Sequence, residues 1–160
     1  MTTKADYSNE EWELLCAGPH LAGLGISLLD PGLVSGLQES TAIAHAIRDA
    51  KATYADNALV QAVIAAIDEK GDHNKHPEGE TSETVLEKLQ KIDALLDKKG
   101  QADEATLSEG IVYRNFLYQV ADRAANAAGG FMGLGEKVSE EERYYLHKLK
   151  EILFREPAAS

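Results

Sequence analysis

Apolar residues recur along this chain with a helical period, and no segment shows the two-residue alternation of a half-buried strand. Trp12, Leu15, Cys16, Pro19, Gly23 and Ile26 fall on one helical stripe. A second stripe holds Ile43, Ala46, Ile47, Ala50 and Tyr54, with Gln38, His45, Asp49 and Lys51 on more polar sides. Leu59, Val60, Val63, Ile64 and Ile67 form a third, and Val85, Leu89, Ile92 and Leu96 a fourth at heptad-like spacing. The longest run covers roughly 104–128. There Ile111, Val112, Phe116, Leu117, Val120, Ala121, Ala124, Ala125 and Ala128 occupy most of the circumference, which marks a helix surrounded by others. Tyr145, Leu149, Ile152 and Leu153 complete a sixth stripe. The pattern predicts an all-α protein: one domain over 1–160, a bundle of about six helices around a central buried helix.

Punctuation between the stripes supports the same division. Ser8-Asn-Glu-Glu11 is a capping box, Ser35 opens the second helix, and Thr81 or Ser82 opens the fourth. Ser139 with Glu142 opens the last helix. Gly71 and Gly100 stand where helices close. Asp30-Pro31-Gly32 is a turn. Pro19 is expected to kink or split the first helix, because it lacks the N–H a helix interior needs. Residues 71–80 have no apolar periodicity and read as a flexible loop, and residues 156–160 as a frayed tail.

Composition narrows the class. A chain of 160 residues buries about 70% of its unfolded surface without a staple. A net charge of −11 works against nucleic acid and against an anionic membrane surface as partners. The lone Cys16 suits a reducing compartment and reads as a small core residue. Residues 1–13 are acidic and polar, unlike a signal peptide. The uncharged stretch 14–29 is interrupted by Pro19 and falls short of the roughly 20 residues of a membrane span. The expectation is a soluble, cytoplasmic protein.

Candidate chemistry is sparse. Gly130-Phe-Met-Gly-Leu-Gly135-Glu136-Lys137 approaches a phosphate-binding loop, but Glu136 stands in the lysine position and a helix, not a strand, precedes it. Phe131, Met132 and Leu134 therefore either plug the core or form an interaction loop. His73, His76 and Glu78 are candidate metal ligands by residue type, yet they lack the paired spacing of a structural site. No metal or other cofactor is expected. His20 reads as a packed histidine, and His45 with Asp49 as a helix-surface pair. Asp122, Arg123 and Asn126 interrupt the apolar end of the central helix, which makes them the first candidates for a buried polar site.

The run Ala-Asn-Ala-Ala-Gly-Gly-Phe-Met-Gly-Leu-Gly-Glu-Lys-Val-Ser-Glu-Glu-Glu ending at Glu142 resembles the closing motif of an uncharacterised family of small bacterial all-helical proteins. The opening Tyr7-Ser-Asn-Glu-Glu-Trp-Glu-Leu-Leu, with Pro19 and Gly23, resembles that family's start. More distantly, the small-residue helix followed by Val-Ser-Glu-Glu-Glu is similar to the tellurite-resistance TerB-like fold, whose members carry acidic, metal-associated sites. This chain has Gly129-Gly130 and an inserted Phe-Met-Gly-Leu-Gly where those proteins carry Asp-Gly. The likenesses imply an all-helical fold and leave activity unassigned.

The balance of these readings is against an enzyme. The expected function is protein interaction, with an unknown protein partner or by self-association. The alternative is a metal- or small-ligand-binding domain using acidic and polar groups between helices.

Overall fold

The computed structural model describes residues 2–29, 33–71, 78–129 and 138–155, with side chains given for all of these but 33–38 and 128–129. Among the described residues there are six α-helices and no strand. The helices are α1 (Asn9–Ser27), α2 (Leu33–Thr53), α3 (Ala58–Lys70), α4 (Ser82–Gly100), α5 (Glu104–Gly129) and α6 (Glu140–Leu153). A short 3-10 turn, Lys4–Asp6, precedes them. The expected turn at 30–32, most of the loop at 71–80 and the tail at 156–160 lie outside the described residues.

Local chemistry accounts for the helix ends. Ser8 Oγ accepts from Glu11 N at 3.1 Å while Glu11 reaches back to Ser8 N at 2.9 Å, and Ser139 with Glu142 repeats the arrangement at 3.2 and 3.0 Å. Asn57 Oδ1 accepts from Val60 N, and Asp103 Oδ1 from Thr106 N. Gly71 closes α3 with φ of +67°, a conformation glycine adopts without strain. Helix α2 begins at Leu33, two residues before the expected Ser35.

Helix α5 packs against each of the other five, as the breadth of its apolar surface predicts. Helix α1 does the same, so the centre is a pair rather than one helix. Helices α2 and α3 pack together, α4 and α6 pack together, and α1 with α5 joins the two pairs. The predicted stripes point inward: Leu15, Ile26, Ile43, Ile47, Val60, Val63, Leu89, Ile92, Phe116, Leu117, Val120 and Leu149 are all buried. Tyr54 and Ile152 are half-buried at the margin of the core.

Pro19 does not split α1. The helix runs unbroken from Asn9 to Ser27, and the defect it carries is filled from another helix. In a regular helix the N–H of residue 19 would bond the Leu15 carbonyl, and proline has no N–H to give. The Tyr113 hydroxyl, on α5, donates to Leu15 O at 2.5 Å instead. Gly18 leaves the space for it, since a Cβ there would collide with the Tyr113 hydroxyl. Tyr145 of α6 makes the matching contact two turns along, donating to Ala22 O at 2.9 Å, where Gly25 leaves room for the ring. Burial pushes the Tyr113 phenol well above its ordinary range and raises Tyr145 as well, so both hydroxyls stay protonated as donors.

Tyr113→Phe is expected to cost about 1–3 kcal/mol, because the Leu15 carbonyl stays buried and loses its donor. Adding Pro19→Ala to that variant restores a backbone N–H facing the same carbonyl, so part of the loss should return. Denaturant unfolding of the two variants checks this; a double variant no more stable than Tyr113→Phe would rule out the exchange of donors.

Candidate functional site

Two features of the α4–α5–α6 side stand out among the described residues. The first is a charged cluster inside the bundle. Asp93 on α4 and Arg114 on α5 are both buried. Arg114 Nε donates to Asp93 Oδ1 at 2.7 Å, and its Nη2 donates to the Asp93 carbonyl at 3.0 Å and to Asp97 Oδ1 at 2.6 Å. Three charge-assisted or carbonyl bonds from one fork hold the guanidinium in a single orientation. The second Asp93 oxygen, Oδ2, meets Arg155 Nη2 at 3.1 Å, and Asp97 Oδ2 lies 3.5 Å from the same nitrogen. Beside the cluster, between α4 and α6, runs a half-open groove of about 630 Å³ lined by Leu86, Gln90, Lys148, Ile152 and Arg155.

The second feature is an apolar row on the outside of α5. Leu107, Ile111, Arg114 and Tyr118 follow at steps of four, three and four, so they share one face of the helix. Arg114 turns its charge inward to Asp93. The apolar members are left at the surface, with Leu107 at 42% and Ile111 at 49% exposure. Leu107 rests on Gly100, the last residue of α4, whose missing Cβ leaves the leucine its place. Ile111 was expected on the enclosed circumference of the central helix and is instead open, with Val112 half-buried beside it. Neighbouring helices cover α5 along the Tyr113–Phe116–Val120 side, and Ile111 faces away from it, although Gly110, Tyr113 and Arg114 of the same turn are buried. Farther along, the half-buried Tyr118 is covered by Phe154 in an edge-on ring contact at 5.9 Å and by Lys150 Nζ at 5.4 Å.

Asp122, Arg123 and Asn126 do not form a buried polar site. Arg123 and Asn126 are exposed and Asp122 is half-buried, because they lie on the side of α5 away from Phe116, Val120 and Ala124. Arg123 pairs with Asp49 of α2 at 2.8 Å across the surface, and Asn126 donates to the Asp122 carbonyl one turn back. Asp49 therefore faces an arginine, which holds its carboxyl below the usual range, rather than serving His45. His20 is buried in α1, as expected of a packed histidine. Cys16 is buried too, and desolvation raises its thiol pKa, which suits a core residue.

Glu78 is exposed. His73, His76, Phe131, Met132 and Leu134 lie outside the described residues. Among the described residues no three His, Cys, Asp or Glu side chains stand together as a metal site, and no helix is long and apolar enough to cross a membrane.

The Asp93–Arg114 pair was missed at the level of sequence, although a signal for it exists. Asp93 falls between Leu89 and Leu96 on the inward stripe of α4, and Arg114 between Gly110 and Leu117 on that of α5. A charge of each sign in an apolar register, on two helices joined by a short turn, is the pattern of a buried pair.

Compared with known proteins, the chain matches no family model, no curated protein and no solved structure.

Proposed function

We propose that this protein is a cytoplasmic, non-enzymatic helical bundle that works by binding another protein through the row on α5. The observation that supports the reading is the pair Leu107 and Ile111, two large aliphatic side chains open on successive turns of α5. Covering them with a partner removes apolar surface from water, worth roughly 25 cal/mol per Å² before the costs of association. The net charge of −11 favours a partner of basic character over a second acidic copy.

A photo-crosslinking residue at Asn115, one turn beyond Ile111 and exposed, tests this in cells that make the protein. The expected result is one defined adduct, absent when the crosslinker is moved to the exposed Glu87 of α4 and lost on Ile111→Glu. Its mass also separates a foreign partner from a second copy. An adduct indifferent to Ile111→Glu, or none at all, counts against the reading.

The second reading is a small-ligand domain using acidic groups between helices, as the likeness to the TerB-like fold implies. It draws on the groove beside Asp93, whose outer oxygen would have to exchange Arg155 for a ligand.

A further inference from the structure

We propose that Phe154 and Arg155 form a built-in strap over one end of the α5 row, and that the natural partner displaces it with a segment of the same chemistry: an aromatic side chain followed directly by an arginine. The inference rests on the interaction reading above and specifies both its regulation and its partner.

The geometry carries it as follows. Helix α6 ends at Leu153, and Phe154 leaves the helical path with φ of −125° and ψ of 22°, its N–H still bonded to Lys150 O at 2.9 Å. That turn sends two consecutive side chains to two different receivers. The Phe154 ring stands edge-on against Tyr118, the last member of the row that begins at Leu107. The Arg155 guanidinium sits over Asp93 Oδ2 and Asp97 Oδ2. The surface therefore already holds one aromatic ring and one guanidinium, each on a group suited to it.

The receivers are fixed and the occupant is not. Asp93 is buried, and Arg114 anchors its other oxygen from inside, so Oδ2 keeps facing outward as a charged acceptor whether or not Arg155 is present. An acceptor held in this way needs little reorganisation to take an incoming guanidinium. The Arg155 side chain, by contrast, is 62% exposed, so its guanidinium is already largely hydrated and loses little on leaving. Phe154 is itself among the exposed large apolar residues. Lifting the strap would uncover Tyr118 and join it to Ile111 and Leu107, lengthening the row by two turns. The acidic character of the chain at large favours an arginine-bearing segment in the same position.

The probe is the blocked tetrapeptide Ser-Phe-Arg-Ser, titrated into the full nitrogen-15-labelled chain and read by amide shifts. In a Phe154→Ser, Arg155→Ser variant the peptide should bind about tenfold more tightly than in the wild type, the factor that follows if the strap is closed in about nine molecules of ten. The shifts should gather at Ile111, Tyr118, Asp93 and Asp97, and the control Ser-Phe-Glu-Ser should produce none. Arg155→Gln, which keeps the Phe154 contact, should give a smaller gain in the same direction, and matching circular dichroism melts verify that both variants fold. Equal affinity in wild type and strap variants, shifts elsewhere, or binding of the glutamate control would overturn the proposal. If the strap fails these tests while Ile111→Glu still abolishes the crosslink at Asn115, the interaction reading stands without it. If the peptide behaves as expected and the crosslink does not, the reading of the natural partner is at fault instead.

Discussion

Asp93→Ala is expected to destabilise the protein by about 3–5 kcal/mol, the cost of leaving a buried charge without its partner. The Arg114 side chain is buried at 7% exposure, so solvent cannot replace the missing carboxylate without opening the contact between α4 and α5. Asp97 remains on one nitrogen of the guanidinium, at 2.6 Å, which places the effect toward the lower end of that range. The pair as a whole is a different matter. Taking two charges out of water costs several kcal/mol per ion, so replacing both by apolar residues of similar volume, as in Asp93→Leu with Arg114→Met, should be near neutral or stabilising. Denaturant unfolding of the single and double variants measures the difference. A mild single variant would mean that water reaches Arg114, and a double variant as unstable as the single one would mean that the pair itself contributes net stability.

Phe116→Ala should lose a similar amount, about 3–5 kcal/mol, through transfer of the ring and the cavity left behind. Phe116 is fully buried on α5. Its ring lies 5.9 Å from that of Tyr54, a residue just past the end of α2, and 6.2 Å edge-on from that of Tyr113. Removing it would loosen both the α2 contact and the tyrosine that fills the defect at Pro19, so little collapse around the gap is available. A melting temperature close to wild type would show that α5 is peripheral, against the packing described above.

Much of the fold was legible because helix periodicity is a local property. Ser8, Asn57, Ser139 and Gly71 each fix a boundary through their own side chain or backbone, and the stripes of α1, α3 and α4 name their core residues directly. What sequence reasoning missed depends on neighbours distant in the chain. Pro19 breaks a helix when considered alone. It does not do so here, because Tyr113 arrives from 98 positions away to occupy the Leu15 carbonyl that the proline leaves. Ile111 belongs to the apolar circumference of α5 by composition, and only the placement of the other helices on the Tyr113–Phe116–Val120 side decides that its own side is uncovered. Asp122, Arg123 and Asn126 are candidates for a buried polar site by sequence because the helix around them is apolar, but the polar side they form is the one that faces water. Of the candidate site, Ile111 alone was present in the sequence reading, as part of the expected core, and the strap was not legible at all, since Phe154 and Arg155 carry no periodic signal past the end of α6.

The most direct measurement is the unfolding free energy of Ile111→Glu in denaturant. If Leu107 and Ile111 stand open as a surface for a partner, a charge at position 111 meets water, and stability should stay within about 0.5 kcal/mol of wild type. A loss of several kcal/mol would place Ile111 in the core and remove the surface on which the proposed function depends.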